Sequence, residues 1–374
     1  MLKRIYSLDK MLLPNKVILL YGPRQVGKTT LLKKLLKTTA LKYKADNGDS
    51  VKLQQLFRSQ DFDAILEYAK GYELLTIDEA QKIPHIGQGL KILVDNVENI
   101  KIFVTGSSSF ELAQQTGEPL TGRKRTKILY PLSQLELLDT HNNFELKEKL
   151  EEFIIFGLYP EIITANSTAE KITAIEEIAD SYLLKDVLAL DNVKKPDKLI
   201  KLLKLLAFQV GSEVSSHELA IQLKIDVKTT EKYIDILEKA FVIKNINAYS
   251  ANLRKEITTK NKIYFYDNGI RNAIINNYSI LDNRNDIGAL WENFLIMERI
   301  KKQEYHNIHS NNYFWRTYTG KEVDWIEERD GKLFGYEFKW NTQKKIKTPK
   351  LWLDTYDNAE WKIITPDNYL DFIL

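Results

Sequence analysis

The sequence predicts an α/β protein in three successive parts: a parallel sheet flanked by helices, a mostly helical middle, and a mixed α+β end. Three observations predict this. Up to about Asp139, short apolar runs (Val17–Tyr21, Leu74–Ile77, Ile102–Thr105) alternate with amphipathic helical stretches, the pattern of strand–helix–strand units. From Asn142 to about Ile246, apolar residues recur at helical spacing, as in Leu199, Leu203, Leu206 and Val210. From about Lys262, strands and helices mix, and Tyr and Trp concentrate toward the end. The expected boundaries are 1–140, 141–260 and 261–374.

A length of 374 residues fits two or three domains at about 150 residues each. Hydrophobic residues make up 44% and charged residues 28%, which excludes a disordered chain, a collagen or a mucin-like stalk. The net charge of +3 leaves nucleic-acid binding to local patches. No cysteine is present, so disulfides, Cys-ligated zinc, iron–sulfur clusters and thiol nucleophiles are excluded; a reducing, cytoplasmic location is expected. No segment approaches the ~18 apolar residues of a membrane helix, and no membrane partner is expected. Pro14, Asn15 and Lys16 interrupt the N-terminal apolar run too early for a signal peptide.

The first strand, Val17–Tyr21, runs into Gly22-Pro23-Arg24-Gln25-Val26-Gly27-Lys28-Thr29, and a helix follows over Thr30–Leu36. This is the GxxxxGK[ST] loop in its proper setting between strand and helix. Its glycines let backbone N–H groups approach phosphates, and the helix N-terminus adds favourable partial charge. The segment Gly22–Thr30, Thr30 included, is therefore the expected nucleotide site, with ATP and Mg²⁺ as cofactors. Lys28 is expected on the β- and γ-phosphates and the Thr29 hydroxyl on Mg²⁺. The strand Leu74–Ile77 ends in Asp78-Glu79, which sets Asp78 beside Mg²⁺ and Glu79 to polarise the attacking water. A third buried strand ends in Gly106 and Ser107–Ser109; Ser107 is the favoured hydroxyl to orient the water or sense the γ-phosphate.

In the middle, helix Ser216–Lys224, a turn at Ile225-Asp226, helix Val227–Ala240 and the β-prone run Phe241–Ile246 follow the order of a winged helix-turn-helix. Asp226 is the expected N-cap of the second helix. Lys228, Thr229, Thr230 and Lys232 are expected to be exposed near its start, where a recognition helix meets DNA. Glu231 counts against DNA, and such folds also serve as protein–protein modules.

Near the end, Asp330-Gly331 signals a two-residue type I′ hairpin. Its register sets Arg329 opposite Lys332, Asp324 opposite Glu337, and Glu322 opposite Lys339, all four of the latter on one sheet face. Carboxylates directly opposed are destabilising unless a cation or a proton lies between them. A surface hairpin with a Glu322–Lys339 ion pair is the plainer alternative. His306 and His309 read as surface residues, and the tryptophans of this part as core.

GPRQVGKTT (Gly22–Thr30), LLTIDEAQKIP (Leu74–Pro84), FVTGSSS (Phe103–Ser109), LTGRKRTKILYPLSQLE (Leu120–Glu136), GLYPE (Gly157–Glu161) and KIYFYDNGIRNA (Lys262–Ala273) together resemble the AAA+ ATPases. More closely, they resemble the prokaryotic family that joins an AAA domain to a C-terminal domain of unknown function. The resemblance implies an AAA+-like P-loop NTPase sheet and ATP hydrolysis. It also implies an arginine finger at Arg123, with Arg125 as the alternative, often acting from a neighbouring subunit of a homo-oligomer. The C-terminal stretch resembles the PD-(D/E)XK nuclease core, implying a restriction-endonuclease-like α+β domain. Asp324 and Glu337 would then hold Mg²⁺, and Lys339 would position or activate the hydrolytic water. Glu292, on an upstream amphipathic helix, matches a further acidic residue often carried there. The departure is Glu322-Val323, where a strict motif has Pro before the Asp. Two functions follow: an ATP-regulated, DNA-binding, metal-dependent nuclease, or an ATP-switched DNA-binding or protein-partner scaffold with an inactive nuclease fold.

Overall fold

The computed structural model describes residues 2–107, 119–180, 187, 193–250, 261–317, 320–341 and 348–374. They form two compact units, Met1–Pro131 with Lys239–Phe241, and Leu132–Glu238 with Val242–Leu374.

In the first unit, strands β1 (Lys16–Tyr21), β2 (Tyr43–Asn47), β3 (Leu74–Asp78), β4 (Lys101–Gly106) and β5 (Lys124–Ile128) form one sheet in the order β2-β3-β4-β1-β5. Every pairing is parallel. The three strands expected from apolar runs are the three inner ones. Val17–Leu20, Leu74, Leu75, Ile77 and Ile102–Val104 are all buried, as strands covered on both faces must be. The edge strand β2 instead alternates half-buried and exposed residues. Helices Lys28–Thr38, Val51–Ser59, Phe62–Ala69 and Ile86–Asn96 fall between the strands. Ser50 and Asp61 cap two of them by accepting from the backbone N–H groups of Leu53 and Ala64. Because all strands run the same way, the segments leaving β1, β3 and β4 emerge along one edge, where α/β sheets bind ligands. This mixed α/β architecture with a parallel five-stranded sheet is consistent with a P-loop NTPase.

In the second unit, helix Pro196–Phe208 buries Leu199, Leu203 and Leu206, with Val210 just beyond it, as their spacing predicts. There follow β6 (Glu213–Val214), helices Ser216–Leu223 and Val227–Lys239, and strands β7 (Ile243–Ile246) and β8 (Asn261–Phe265). The three strands pair antiparallel in the order β6-β8-β7. Lys224, with φ 55°, ends the first helix. Asp226 caps the second by accepting from Thr229 N at 2.8 Å and the Thr229 hydroxyl at 2.7 Å. Thr230 departs from expectation: it is 0% exposed, not on the surface. It lies three residues before Tyr233 and seven before Leu237, so it shares their buried face. Lys228 and Lys232 are exposed.

The last sheet has the order β12-β11-β10-β9, with β9 Asn311–Arg316, β10 Glu322–Arg329, β11 Lys332–Phe338 and β12 Ala359–Ile364. The long helix Ile287–His306 precedes it. Asp330 and Gly331 both have positive φ, 54° and 72°, as a type I′ turn requires. The register runs from Arg329↔Lys332 to Trp325↔Tyr336 as the turn predicts. Trp315, Trp325 and Trp352 are core residues. Trp352 lies so close to Gly335 that a Cβ there would meet its ring at 2.9 Å.

Two of the motifs that carry the family resemblance clasp each other. Asp267 accepts from Leu158 N at 2.8 Å and caps helix Asn268–Ile274 through Gly269 N at 2.9 Å. Burial pushes the Asp267 carboxyl above its ordinary range, against these hydrogen bonds. Gly157 has φ 78° and ψ −167°, a region open essentially to glycine alone, and any Cβ would fall on the Asp267 carboxylate. Gly157→Ala is therefore expected to lower unfolding free energy by about 3 kcal/mol, read by chemical denaturation; an unchanged midpoint would show that the clasp is not required.

Candidate functional site

The loop after β1 has the backbone its sequence predicts. Gly22 and Gly27 take φ 146° and 97°, and Gln25 takes 59°. The two glycines serve different ends. A Cβ on Gly22 would fall on the Leu129 carbonyl beyond β5, so this glycine allows the loop to lie against its neighbour strand. A Cβ on Gly27 would meet nothing within 4 Å, so this glycine answers the left-handed turn and leaves the space before the helix open. The helix Lys28–Thr38 starts without a side-chain cap and without an acidic residue in its first turn. Its N-terminus therefore offers donors and partial positive charge to an anion. Lys28 is 5% exposed and donates to the carbonyls of Gly22 and Pro23 at 2.8 and 2.6 Å.

A polar network joins this loop to the ends of β3 and β4. The Thr29 hydroxyl donates to Asp78 Oδ2 at 2.7 Å, and the Thr105 hydroxyl donates to Asp78 Oδ1. Thr105 also accepts from Glu79 N at 3.1 Å. Glu79 sits at φ 54° and accepts from Gln81 Nε2 at 2.6 Å, and the same amide nitrogen donates to the Ser107 hydroxyl at 2.9 Å. Thr29, Asp78, Glu79 and Ser107 are thus joined through hydrogen bonds, with Lys28 next to Thr29 in the chain; Ser108 and Ser109 lie outside the described residues. The Thr29 and Asp78 oxygens lie 2.7 Å apart, and hard oxygens of this kind suit Mg²⁺.

Three residues of this site escape sequence reasoning. Thr105 and Gln81 lie inside the quoted motifs, yet only the fold gives them partners. Arg4 is remote in sequence; it donates to Val26 O at 2.6 Å and Tyr130 O at 2.7 Å, fastening the loop from outside.

Arg123 stands elsewhere. It immediately precedes β5, and Lys124 pairs with Val17, so it lies at the amino end of the sheet while the loop leaves the carboxyl end. The length of β1 separates the two edges by about 17 Å at ~3.3 Å per residue. Its guanidinium Nε is 2.5 Å from Asp95. Arg125 follows on the exposed side of β5.

The C-terminal carboxylates do gather. Asp324 is 4% exposed and accepts from Phe338 N at 2.8 Å. The ladder of β10 and β11 reaches only Trp325↔Tyr336, and β10 shifts register against β9 between Val323 and Ile326. Such a bulge re-aims side chains. Lys339 pairs with Glu337 at 2.6 Å, and Glu322 has Arg316 at 3.8 Å, so the plainer Glu322–Lys339 pair is not the arrangement found. Burial, then the neighbouring Glu292, pushes the Asp324 carboxyl up to about 7. Burial and Asp324 likewise push Glu337 up to about 7, against Lys339.

Lys262 was not anticipated in this cluster. It is 3% exposed on β8, and its ammonium lies 3.1 Å from Glu292 Oε1, the same oxygen that accepts from the Tyr264 hydroxyl at 2.6 Å. Burial opposes its charge, but Glu292, Asp324 and Glu322 outweigh burial and hold its pKa above the ordinary lysine value. Among the described residues, no group of three acidic or histidine side chains is arranged to hold a metal ion. The carboxylates of Asp324, Glu337 and Glu292 are engaged by Phe338 N, Lys339 and Lys262 in turn.

Residues 14–138 match the family described as an AAA domain. Residues 147–280 and 287–365 match two domains of unknown function, DUF8612 and DUF4143. An uncharacterized protein of Mycobacterium tuberculosis is 29% identical over 88% of this chain and 71% of its own length. An uncharacterized protein of Methanocaldococcus jannaschii is 25% identical over 95% of this chain and 83% of its own. One from Haemophilus influenzae is 28% identical over 61% and 60%. The AAA match supports nucleotide binding and an ATPase-type function for the first unit. No helix among the described residues is long and apolar enough to cross a membrane.

The Gln81 amide ties Glu79 to Ser107, so Gln81→Ala is expected to lower kcat for nucleotide hydrolysis roughly tenfold or more while leaving nucleotide affinity nearly unchanged. A raised KM with kcat intact would assign Gln81 to binding instead.

Proposed function

We propose that this protein is a Mg²⁺-dependent ATPase whose nucleotide state governs a DNA-binding second unit. The observation that carries the first half is the convergence of Lys28 and Thr29 with Asp78, Glu79 and Ser107 along one sheet edge. On this reading Lys28 exchanges the Gly22 and Pro23 carbonyls for β- and γ-phosphate oxygens, and loop residues Gly22–Thr30 wrap the phosphates. Thr29 and Asp78 hold Mg²⁺, which when bound offsets phosphate charge. Glu79, kept in place by Gln81, orients and polarises the attacking water, and Ser107 meets the γ-phosphate side. Arg123 is at the wrong edge to serve its own nucleotide, so as a finger it would act on a neighbour's nucleotide in a homo-oligomer; Arg125 is the alternative.

The middle elements support a winged helix-turn-helix reading through their order and the three-stranded antiparallel sheet. Lys228 and Lys232 supply the exposed basic face. Glu231, Asp235 and Glu238 line a groove between helix Val227–Lys239 and the sheet, so DNA is expected on the lysine face and not in that groove. We read the last sheet as restriction-endonuclease-like. Cleavage through Asp324, Glu337 and Lys339 is the second reading, favoured by the 2.6 Å Lys339–Glu337 contact beside Asp324. The buried Lys262–Glu292 pair argues against a metal there, and we favour a DNA-binding switch that does not cut.

Lys28→Ala is expected to weaken nucleotide binding at least tenfold; Arg123→Ala is expected to spare binding but lower hydrolysis ~10³-fold. Wild-type turnover per chain should rise with protein concentration. Full hydrolysis in Arg123→Ala would remove the finger, and unchanged nucleotide affinity in Lys28→Ala would sink the ATPase reading. For DNA, Lys228→Glu with Lys232→Glu should weaken duplex affinity at least tenfold and flatten the log–log salt slope by about 2. Salt-insensitive or unaltered binding would turn the reading toward a protein partner.

A further inference from the structure

Three carboxylates, Glu292, Asp324 and Glu337, share a largely buried place in the second unit, and all three are engaged by the chain itself. Glu292 receives the Lys262 ammonium at 3.1 Å and the Tyr264 hydroxyl at 2.6 Å. Asp324 receives the Phe338 N–H at 2.8 Å, and Glu337 receives Lys339 at 2.6 Å. Lys262 is not a surface lysine that swings onto a nearby acid. It sits on the central strand of the β6-β8-β7 sheet, its backbone registered against Glu213 on one side and Ile246 on the other. Its ammonium also lies 5.4 Å from the Phe314 ring centroid. A strand holds it in position before any ligand arrives.

We propose that the Lys262 ammonium is the resident cation of the Glu292–Asp324–Glu337 cluster and stands in for the divalent metal of a nuclease-like centre. The inference rests on reading this part as nuclease-like and says what that centre has become. Lys262 and Lys339 together bring two positive charges, the charge of one divalent ion. They bring them as separate points fixed by two strands. A hard divalent cation needs several oxygens converging at about 2.0–2.6 Å, whereas an ammonium takes its acceptors one by one, through three separate N–H donors at hydrogen-bond distance. The 3.1 Å contact of Lys262 with Glu292 is of the second kind. Glu292 and Glu337 are each met by a lysine of the chain itself, and the Lys262–Glu292 pair joins β8 to helix Ile287–His306.

The test is a Mn²⁺ titration of the nucleotide-free full chain, following the EPR signal of free Mn²⁺, with circular dichroism to verify folding. In the wild type, Asp324→Asn should leave Mn²⁺ binding unchanged, because any ion bound sits elsewhere. Lys262→Met should acquire one additional site at least tenfold tighter than wild-type binding, and adding Asp324→Asn should abolish it. Lys262→Gln, which keeps a donor for Glu292 without the charge, is the second variant should Lys262→Met not fold. Wild-type Mn²⁺ binding that disappears in Asp324→Asn would overturn the role of Lys262 while leaving the nuclease-like reading in place. Folded Lys262 variants that gain no site would overturn both.

Discussion

Parallel pairing of the inner strands is the constraint on which the first unit depends. Tyr21 pairs with Gly106 and Ile77 with Val104, so β1, β3 and β4 end nearly level. Gly22, Asp78 and Ser107 therefore leave the sheet as neighbours, although more than eighty residues separate the first from the last. The pairing is held by burial. Val17, Ile18, Leu19 and Leu20 are all essentially inaccessible, and each buried aliphatic side chain contributes ~1.5–3 kcal/mol. That sum comfortably exceeds the cost of the left-handed backbone at Gln25 and Glu79, on the order of 1–3 kcal/mol each. Strain at the site is affordable because the strands beneath it are not strained.

The second unit is governed by what buried charge requires. Removing an ion from water costs several kcal/mol, so a buried acid needs a partner or a proton. Glu327 accepts both sides of the Arg299 guanidinium at 2.6 and 2.8 Å. Glu298 takes Lys301 at 2.7 Å and the Gln134 N–H at 2.7 Å. Glu292 takes Lys262. Asp324 and Glu337 are less fully served: burial and then Glu292 lift Asp324, and burial and then Asp324 lift Glu337, toward neutrality. The sequence argument that neighbouring carboxylates need a cation or a proton has its counterpart in the lysines at Glu337 and Glu292 and in the raised Asp324 carboxyl.

Legibility differed with the range of the interaction. The phosphate loop, the three inner strands, the Asp226 cap and the Asp330-Gly331 turn were all readable, because each depends on residues within a few positions of one another. Thr230 is not legible in this way, because its exposure depends on which helix face meets the core, and Tyr233 and Leu237 claim that face. Arg4 went unseen because its partners, Val26 and Tyr130, lie 22 and 126 residues away. GLYPE and KIYFYDNGIRNA carry the family resemblance, but nothing local in either gives it a role. Their role is mutual, since Gly157 exists to admit Asp267.

By itself, the sequence determined the chemistry available: a lysine and a threonine at a helix start, carboxylates at strand ends, acids on both arms of a hairpin, and no thiol. Periodicity and turn chemistry are local, so it also determined where those groups stand along their own elements. Only the tertiary structure decided which groups meet. It set Gln81 between Glu79 and Ser107, put Arg123 at the far edge from the loop, and brought Lys262 to Glu292 across thirty residues. The reason is physical: hydrogen bonds and ion pairs act over about 3 Å, and only strand order and burial bring distant residues that close.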